Sequence, residues 1–385
     1  MEAIKTAVIG IGNMGTAHAC TLAEGKVPGL TLAAVCDTDP ARLADFASRW
    51  PGVACYPDVR ALLAAGCAQA AVVAVPHPLH SEIAEQVLEA GLHVLVEKPI
   101  DVRLSRAKKL CARAAAGSQV FAIMLNQRTN PLFARARAIV QGGELGALKR
   151  SVWVVTNWYR TQHYYDSGDW RATWAGEGGG VLLNQAPHNL DLWQWICGIP
   201  SKVYAKCLYG CHRDIVVEND VTVVTQYPNG ATGSFITCTH DAIGTDRLEI
   251  DLDAGKIVVE DSKKATIYRM KKSEPEMNET MTMMEVAMLT MGNAAGGLYE
   301  TEEFENTDGW GFQHTTVMEN FALHILEGAP LLAPGSDGIN GVNLANAIQL
   351  SSWLGKEVDN PVDPELYAAE LNKRIEAEGK FPTRD

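Results

Sequence analysis

Along the first third of the chain, short apolar runs alternate with stretches whose apolar residues recur at helical spacing. The runs fall at 6–9, 31–36, 71–75, 93–96 and 120–124. Runs of this kind, without polar alternation, are buried on both faces, as in a parallel sheet covered by crossover helices. The stretch 81–90, with Ile83, Ala84, Val87 and Leu88 on one side, reads as one such helix. Residues 1–128 are therefore predicted to form a doubly wound parallel α/β sheet. A further helix is predicted over 131–140, and from Arg150 the pattern changes to long alternating strands. One hairpin joins 222–227 to 231–237 through Pro228-Asn229-Gly230, and a second joins 248–251 to 257–260 through Asp253-Ala254-Gly255. Residues 129–385 thus read as an α+β domain with a large, open, mainly antiparallel sheet. Within it, 271–313 shows no clean period and reads as a partly helical insertion or lid. Its Met277, Met281, Met283, Met284, Met288 and Met291 either line a pocket or form an adaptable packing patch. Helical spacing returns over 316–327 and 341–354.

Composition narrows the class. A chain of 385 residues suits two domains, and 47% hydrophobic with 21% charged residues is a globular balance without a membrane-length apolar run. The start Met-Glu-Ala-Ile-Lys-Thr has no signal-peptide pattern, so a cytoplasmic location is expected. A net charge of -13 argues against general nucleic-acid binding, which needs cations against phosphates, and favours a small-molecule partner. The nine cysteines are scattered, and Cys207 and Cys211 lack zinc-site spacing, so reduced thiols and no metal are expected.

The first apolar run ends in Gly10-Ile11-Gly12-Asn13-Met14-Gly15. After a strand and before a helix, this is a Rossmann dinucleotide turn: Gly10 permits the tight turn, Gly12 lets pyrophosphate approach, and Gly15 lets the helix pack closely. The second run ends at Asp37, whose carboxylate accepts hydrogen bonds from a ribose and repels a 2'-phosphate, so NAD is expected rather than NADP.

Further along stand Pro76-His77-Pro78-Leu79-His80, Glu97-Lys98-Pro99, Asn126-Gln127-Arg128, Gly178-Gly179-Gly180, His188 and Asp191. This combination, spread over nearly the whole chain, resembles the glucose-fructose oxidoreductase / inositol dehydrogenase / MocA family. The resemblance implies an active site between the two domains, with Lys98 and His188 as catalytic residues. It also extends the cofactor contacts from Gly10, Gly12, Asn13, Met14, Gly15 and Asp37 to Val75, Pro76, His80, Glu97, Lys98 and Asn126. Lys98 lies at the carboxyl edge of a parallel sheet, where ligands bind in such folds, and its cation suits a developing alkoxide. An imidazole at His188 suits proton transfer near neutral pH. Where many family members carry an aspartate this chain has Asn184, which orients a hydroxyl but accepts no proton. Asp191 is either an orienting residue or part of the helix framework.

Six tryptophans, at 153, 158, 170, 174, 193 and 195, crowd the start of the second domain. Trp153, Trp193 and Trp195 are expected in the core. Arg128, Tyr159, Arg160, Tyr164, Tyr165, Asp166, Trp170 and Arg171, with Asn184 and His188, are the candidate substrate residues. Aromatic faces interleaved with hydrogen-bonding groups suit a carbohydrate ring. The segment also resembles the branch of that family that oxidises sugars, anhydrosugars and glycosides, which implies NAD-dependent oxidation of a secondary ring hydroxyl, often that at C3. The alternative is a glycoside hydrolase or lyase that keeps NAD bound and eliminates through a transient 3-keto sugar, with His163, Tyr164 or Tyr165 as an extra acid or base. The open sheet face implies a homodimer or homotetramer.

Overall fold

The computed structural model describes residues 2–291, 297–307 and 312–378. The first unit runs β1 (Ile4–Ile9), α1 (Asn13–Ala23), β2 (Leu30–Cys36), α2 (Pro40–Arg49), β3 (Ala54–Tyr56), α3 (Val59–Ala64), β4 (Ala70–Val73), α4 (His80–Glu89), β5 (His93–Val96), α5 (Leu104–Ala115) and β6 (Phe121–Ile123). Its six strands are all parallel in the order β3-β2-β1-β4-β5-β6. The order reverses beside β1, and ligands of such sheets bind at the carboxyl ends around that point. β3 was absent from the sequence expectation: its three residues are only half-buried and carry no apolar run.

The second unit continues with α6 (Pro131–Gln141), β7 (Leu148–Val155), α7 (Gln162–Tyr165), α8 (Pro187–Cys197), β8 (Lys202–Tyr209), β9 (Glu218–Gln226), β10 (Thr232–Cys238), β11 (Asp246–Leu252), β12 (Gly255–Glu260) and β13 (Lys264–Met270). There follow α9 (Glu274–Thr280), α10 (Met283–Thr290), β14 (Tyr299–Glu305), α11 (Phe312–Glu327), α12 (Gly338–Leu354), β15 (Val358–Asp359) and α13 (Pro364–Glu378). Nine strands form one sheet, β14-β13-β12-β11-β7-β10-β9-β8-β15. Only β7 and β10 pair in parallel; the other contacts are antiparallel, and both predicted hairpins form.

Alternation along β9 and β11 turns one face inward against α6, α8 and α12, where Trp153, Trp193, Phe235 and Leu344 are fully buried. Trp195 is half-buried beneath the guanidinium groups of Arg128 and Arg137. α11 lies late in the chain but packs Val317, Met318 and Phe321 with Val8, Leu22 and Val72 of the first unit. The segment 271–313 holds α9, α10 and an integral edge strand, since β14 pairs with β13 from Tyr299 to Glu305. Of its methionines, Met277 is buried while Met283, Met284, Met288 and Met291 are exposed. Parts of the segment, 292–296 and 308–311, lie outside the described residues.

Candidate active site

At the end of β1, Gly10 takes φ +87°, and a Cβ there would meet the carbonyl oxygen of Ala74 at 2.7 Å. A Cβ on Gly15 would collide with the carbonyl of Gly10, so the turn and α1 pack only through glycines. Gly12 differs: no protein atom lies within 4 Å of its virtual Cβ. Its hydrogen is therefore kept by open space, which fits the approach of a pyrophosphate. Asp37, at the end of β2, accepts from Ile11 N at 2.8 Å and from Asp39 N at 2.9 Å. Arg42, absent from the sequence reading, stands 3.5 Å from the same carboxylate. Asn13, Met14 and Pro76 are exposed around this edge and Val75 is half-buried.

His80 differs from its expected role as a cofactor contact. Its ring is buried, with Nδ1 2.6 Å from Pro99 O and Nε2 2.7 Å from Val75 O. The side chain joins the loop after β4 to the loop after β5 and has no nitrogen left for a ligand. Glu97 is bound by His18 of α1 at 2.6 Å. Burial would raise its pKa, but the His18 hydrogen bond and charge, with Lys98 nearby, bring it down to about 2. His18 therefore couples the glycine-turn helix to the Lys98 loop. Beside it, 5.6 Å ring to ring, lies His314 of α11, which faces the Asn126 amide at 3.2 Å. The buried Asn126 Oδ1 has no protein partner, which leaves an acceptor available to a carboxamide ligand.

Lys98 reaches from the first unit to the second, donating from Nζ to the carbonyl of Asn184 at 3.1 Å. Burial lowers its pKa, and Glu97 and Glu177 oppose that shift. His188 sits in the first turn of α8, where the helix dipole disfavours a cation. Burial and the Lys98 charge hold its pKa well below 6.5, and its buried Nδ1 has no partner. The ring is thus neutral, the form that accepts a proton.

Asn184 donates from Nδ2 to Glu177 and, at 3.3 Å, to the Tyr164 hydroxyl. Glu177 was not singled out in the sequence. It is 1% exposed, accepts from Ala172 N at 2.7 Å, and burial pushes its pKa up to about 7. The carboxylate missing at 184 thus reappears one hydrogen bond away.

Trp170 meets the buried ring of His77 edge-on at 5.6 Å. Arg171 lies between the rings of Tyr164 and Trp170 at 4.6 and 4.7 Å, and Arg160 lies over Trp158 and Tyr164 at 5.9 and 5.1 Å. Alternating rings and guanidinium groups therefore form one wall, with the Tyr164 hydroxyl accepting from Arg171 at 2.9 Å. Tyr159 is exposed beneath Arg213.

Three expected substrate residues fall elsewhere. Arg128 is buried, bidentate to Asp191 and paired with Asp337 at 2.6 Å, so its donors serve the framework, as does Asp191. Tyr165 is in the core, donating to Thr239 Oγ1 at 2.8 Å. Asp166 is exposed and held by Gln162. A separate concavity between Arg150, Tyr268 and Tyr299 on the second sheet is lined by none of these residues.

A parallel sheet with this glycine turn, joined through Lys98 to a second domain that supplies a histidine, is the arrangement of a two-domain dinucleotide-binding protein. Residues 4–124 match the model described as oxidoreductase family, NAD-binding Rossmann fold, and residues 133–258 match the GFO/IDH/MocA C-terminal domain. The chain belongs to the GFO/IDH/MocA oxidoreductase family. Inositol 2-dehydrogenase of Rubrobacter xylanophilus is 31% identical over 197 residues, 50% of this chain and 52% of that protein. The 1-carboxy-3-chloro-3,4-dihydroxycyclo hexa-1,5-diene dehydrogenase of Comamonas testosteroni is 29% identical over 161 residues, 42% of this chain and 40% of its own length. The fold matches levoglucosan dehydrogenase in complex with NADH at TM-score 0.78, with 20% identity, over 94% of this chain and 100% of that one. It also matches the WlbA dehydrogenase from Bordetella pertussis, in complex with NADH and UDP-GlcNAcA, at TM-score 0.75, with 22% identity over 94% and 100%. Among the described residues, no helix is long and apolar enough to cross a membrane.

Proposed function

We propose that this chain is an NAD-dependent dehydrogenase that oxidises a secondary ring hydroxyl of a sugar, anhydrosugar or glycoside. The observation that carries the reading is the contact of Lys98 Nζ with the carbonyl of Asn184, one helical turn before the neutral His188. The glycine turn, Asp37 and Asn126 would hold the dinucleotide, whose nicotinamide would supply the hydride acceptor for the carbinol carbon. The chain's own residues handle the proton and the oxygen. His188 takes the hydroxyl proton. Lys98 has three donors and spends one on Asn184, which leaves two for the substrate oxygen. Asn184 uses its amide hydrogens on Glu177 and Tyr164, so Oδ1 remains to accept from a neighbouring hydroxyl. The Trp170 and Tyr164 wall supplies ring faces and the Arg160 and Arg171 donors. Relatives and structural neighbours named for inositol, levoglucosan and a UDP-sugar support a carbohydrate substrate.

The test is incubation with NAD and a panel of sugars, anhydrosugars, glycosides and inositols, followed by NADH absorbance. Reduction of NAD with at least one member is expected. Silence across the panel, with cofactor binding demonstrated, overturns the reading. Release of an aglycone without net NADH would instead identify the elimination chemistry, in which the Tyr164 hydroxyl serves as the added acid. The exposed outer face around Tyr204, Leu208 and Val224 supports self-association through the second sheet.

A further inference from the structure

Away from the cleft, the sheet assembles a group of metal-ligating side chains. Cys211 and His212 lie on the loop from β8 to β9, and His240 follows β10. Their ligand atoms all lie within 4.8 Å of one another. We propose that Cys211, His212 and His240 bind a zinc-class divalent cation, which ties these two strand-end loops together beside the Trp158 to Tyr165 segment.

The donor set is one thiolate and two imidazoles, which favours zinc over the oxygen-seeking magnesium and calcium. With bonds of about 2.3 Å to sulfur and about 2.0 Å to nitrogen, tetrahedral ligands sit roughly 3.5 Å apart, so closure needs side-chain movement on the order of 1 Å. His240 is already oriented for this role. Its Nε2 lies 2.9 Å from Asp220 Oδ2, and because a carboxylate only accepts, that nitrogen donates, so the neutral ring would meet a metal through Nδ1. A carboxylate behind a ligating histidine is the usual outer support of a metal site.

The cysteine is held just as firmly. Asn219, fully buried, accepts from Cys211 N at 2.7 Å and donates to Cys211 O at 2.7 Å. His212 takes φ +58°, a left-handed conformation that is strained for a non-glycine residue, and its ring stands 4.9 Å from that of His240. Three protein ligands with an exposed His212 leave a fourth position for water.

The neighbours of these ligands touch the candidate substrate segment. Arg213, next to His212, donates to Arg160 O at 2.8 Å, and Thr239, next to His240, accepts from Arg160 N at 2.8 Å. A cation here would fix both partners of the Arg160 backbone. No step of the proposed oxidation runs through it, so the site stands or falls apart from the dehydrogenase reading.

The test uses the untagged full-length chain, stripped with chelator and reloaded with zinc or with cobalt. Elemental analysis after gel filtration should find about one zinc per chain, and no zinc in the Cys211→Ser/His240→Ala double variant. Cobalt should give a thiolate charge-transfer band that is absent from Cys211→Ser. His212→Ala, at an exposed position, should weaken zinc binding by about tenfold or more while circular dichroism stays unchanged. The proposal is overturned if the parent takes up no zinc, if the double variant retains the parental stoichiometry, or if cobalt binds without a thiolate band.

Discussion

Replacing Glu177 by Gln isolates the buried carboxylate beside Asn184. Glutamine is nearly isosteric with glutamate and uncharged at every pH, so the variant removes the titration, although its amide carries two donors where a protonated carboxyl carries one. Burial lifts the Glu177 pKa from 4.5 to about 7. At 1.36 kcal/mol per pKa unit, holding the ionised group in the fold costs about 3 kcal/mol. The direction follows from proton binding. Below pH 4.5 folded and unfolded chains both keep the proton, and the group makes no difference. As pH rises from 4.5 to about 7 the unfolded chain releases its proton while the folded chain holds it, so wild-type stability falls across that window. Above about 7 the full penalty applies. Urea unfolding of both proteins across this range should show wild-type stability falling relative to that of Glu177→Gln by about 3 kcal/mol from the acid to the alkaline end. Turnover should move the opposite way, falling by about tenfold or more above pH 7 through loss of a charge-assisted hydrogen bond to Asn184. Parallel stability curves for the two proteins would refute the buried-carboxylate argument.

Gly12→Ala should leave unfolding within about 0.5 kcal/mol of wild type, because no protein atom meets the new methyl, yet it should weaken NAD binding sharply by calorimetry. A variant that binds NAD normally would place the pyrophosphate elsewhere. Lys98→Met and His188→Ala should each lower kcat by about 100-fold or more with NAD affinity retained; loss of cofactor binding in both would reverse their assignment. Arg128→Met leaves Asp191 buried without its cation and should cost about 3–5 kcal/mol in urea unfolding. A loss below about 1 kcal/mol would show that the pair is not holding the domains.

The dinucleotide turn, the parallel character of the first sheet without its edge strand β3, and both hairpins were legible in the sequence. Each depends on residues close together in the chain: a glycine at a positive φ, an apolar run buried on two faces, or an alternation matching the pleat. Lys98 and His188 were singled out through the motifs around them. The roles of other polar residues were decided by partners far away in sequence. Arg128 appeared suited to a substrate and is instead enclosed by Asp191 and Asp337, 63 and 209 positions on. Asn126 meets His314 across 188 positions. Glu177 is only seven positions from Asn184, but its importance comes from burial, which no local pattern reports. Secondary structure follows from local geometry and periodicity, so the sequence by itself determined the fold class and the cofactor turn. Desolvation and charge pairing arise only when distant segments pack, so tertiary structure alone decided which carboxylates, histidines and arginines face chemistry and which hold the frame.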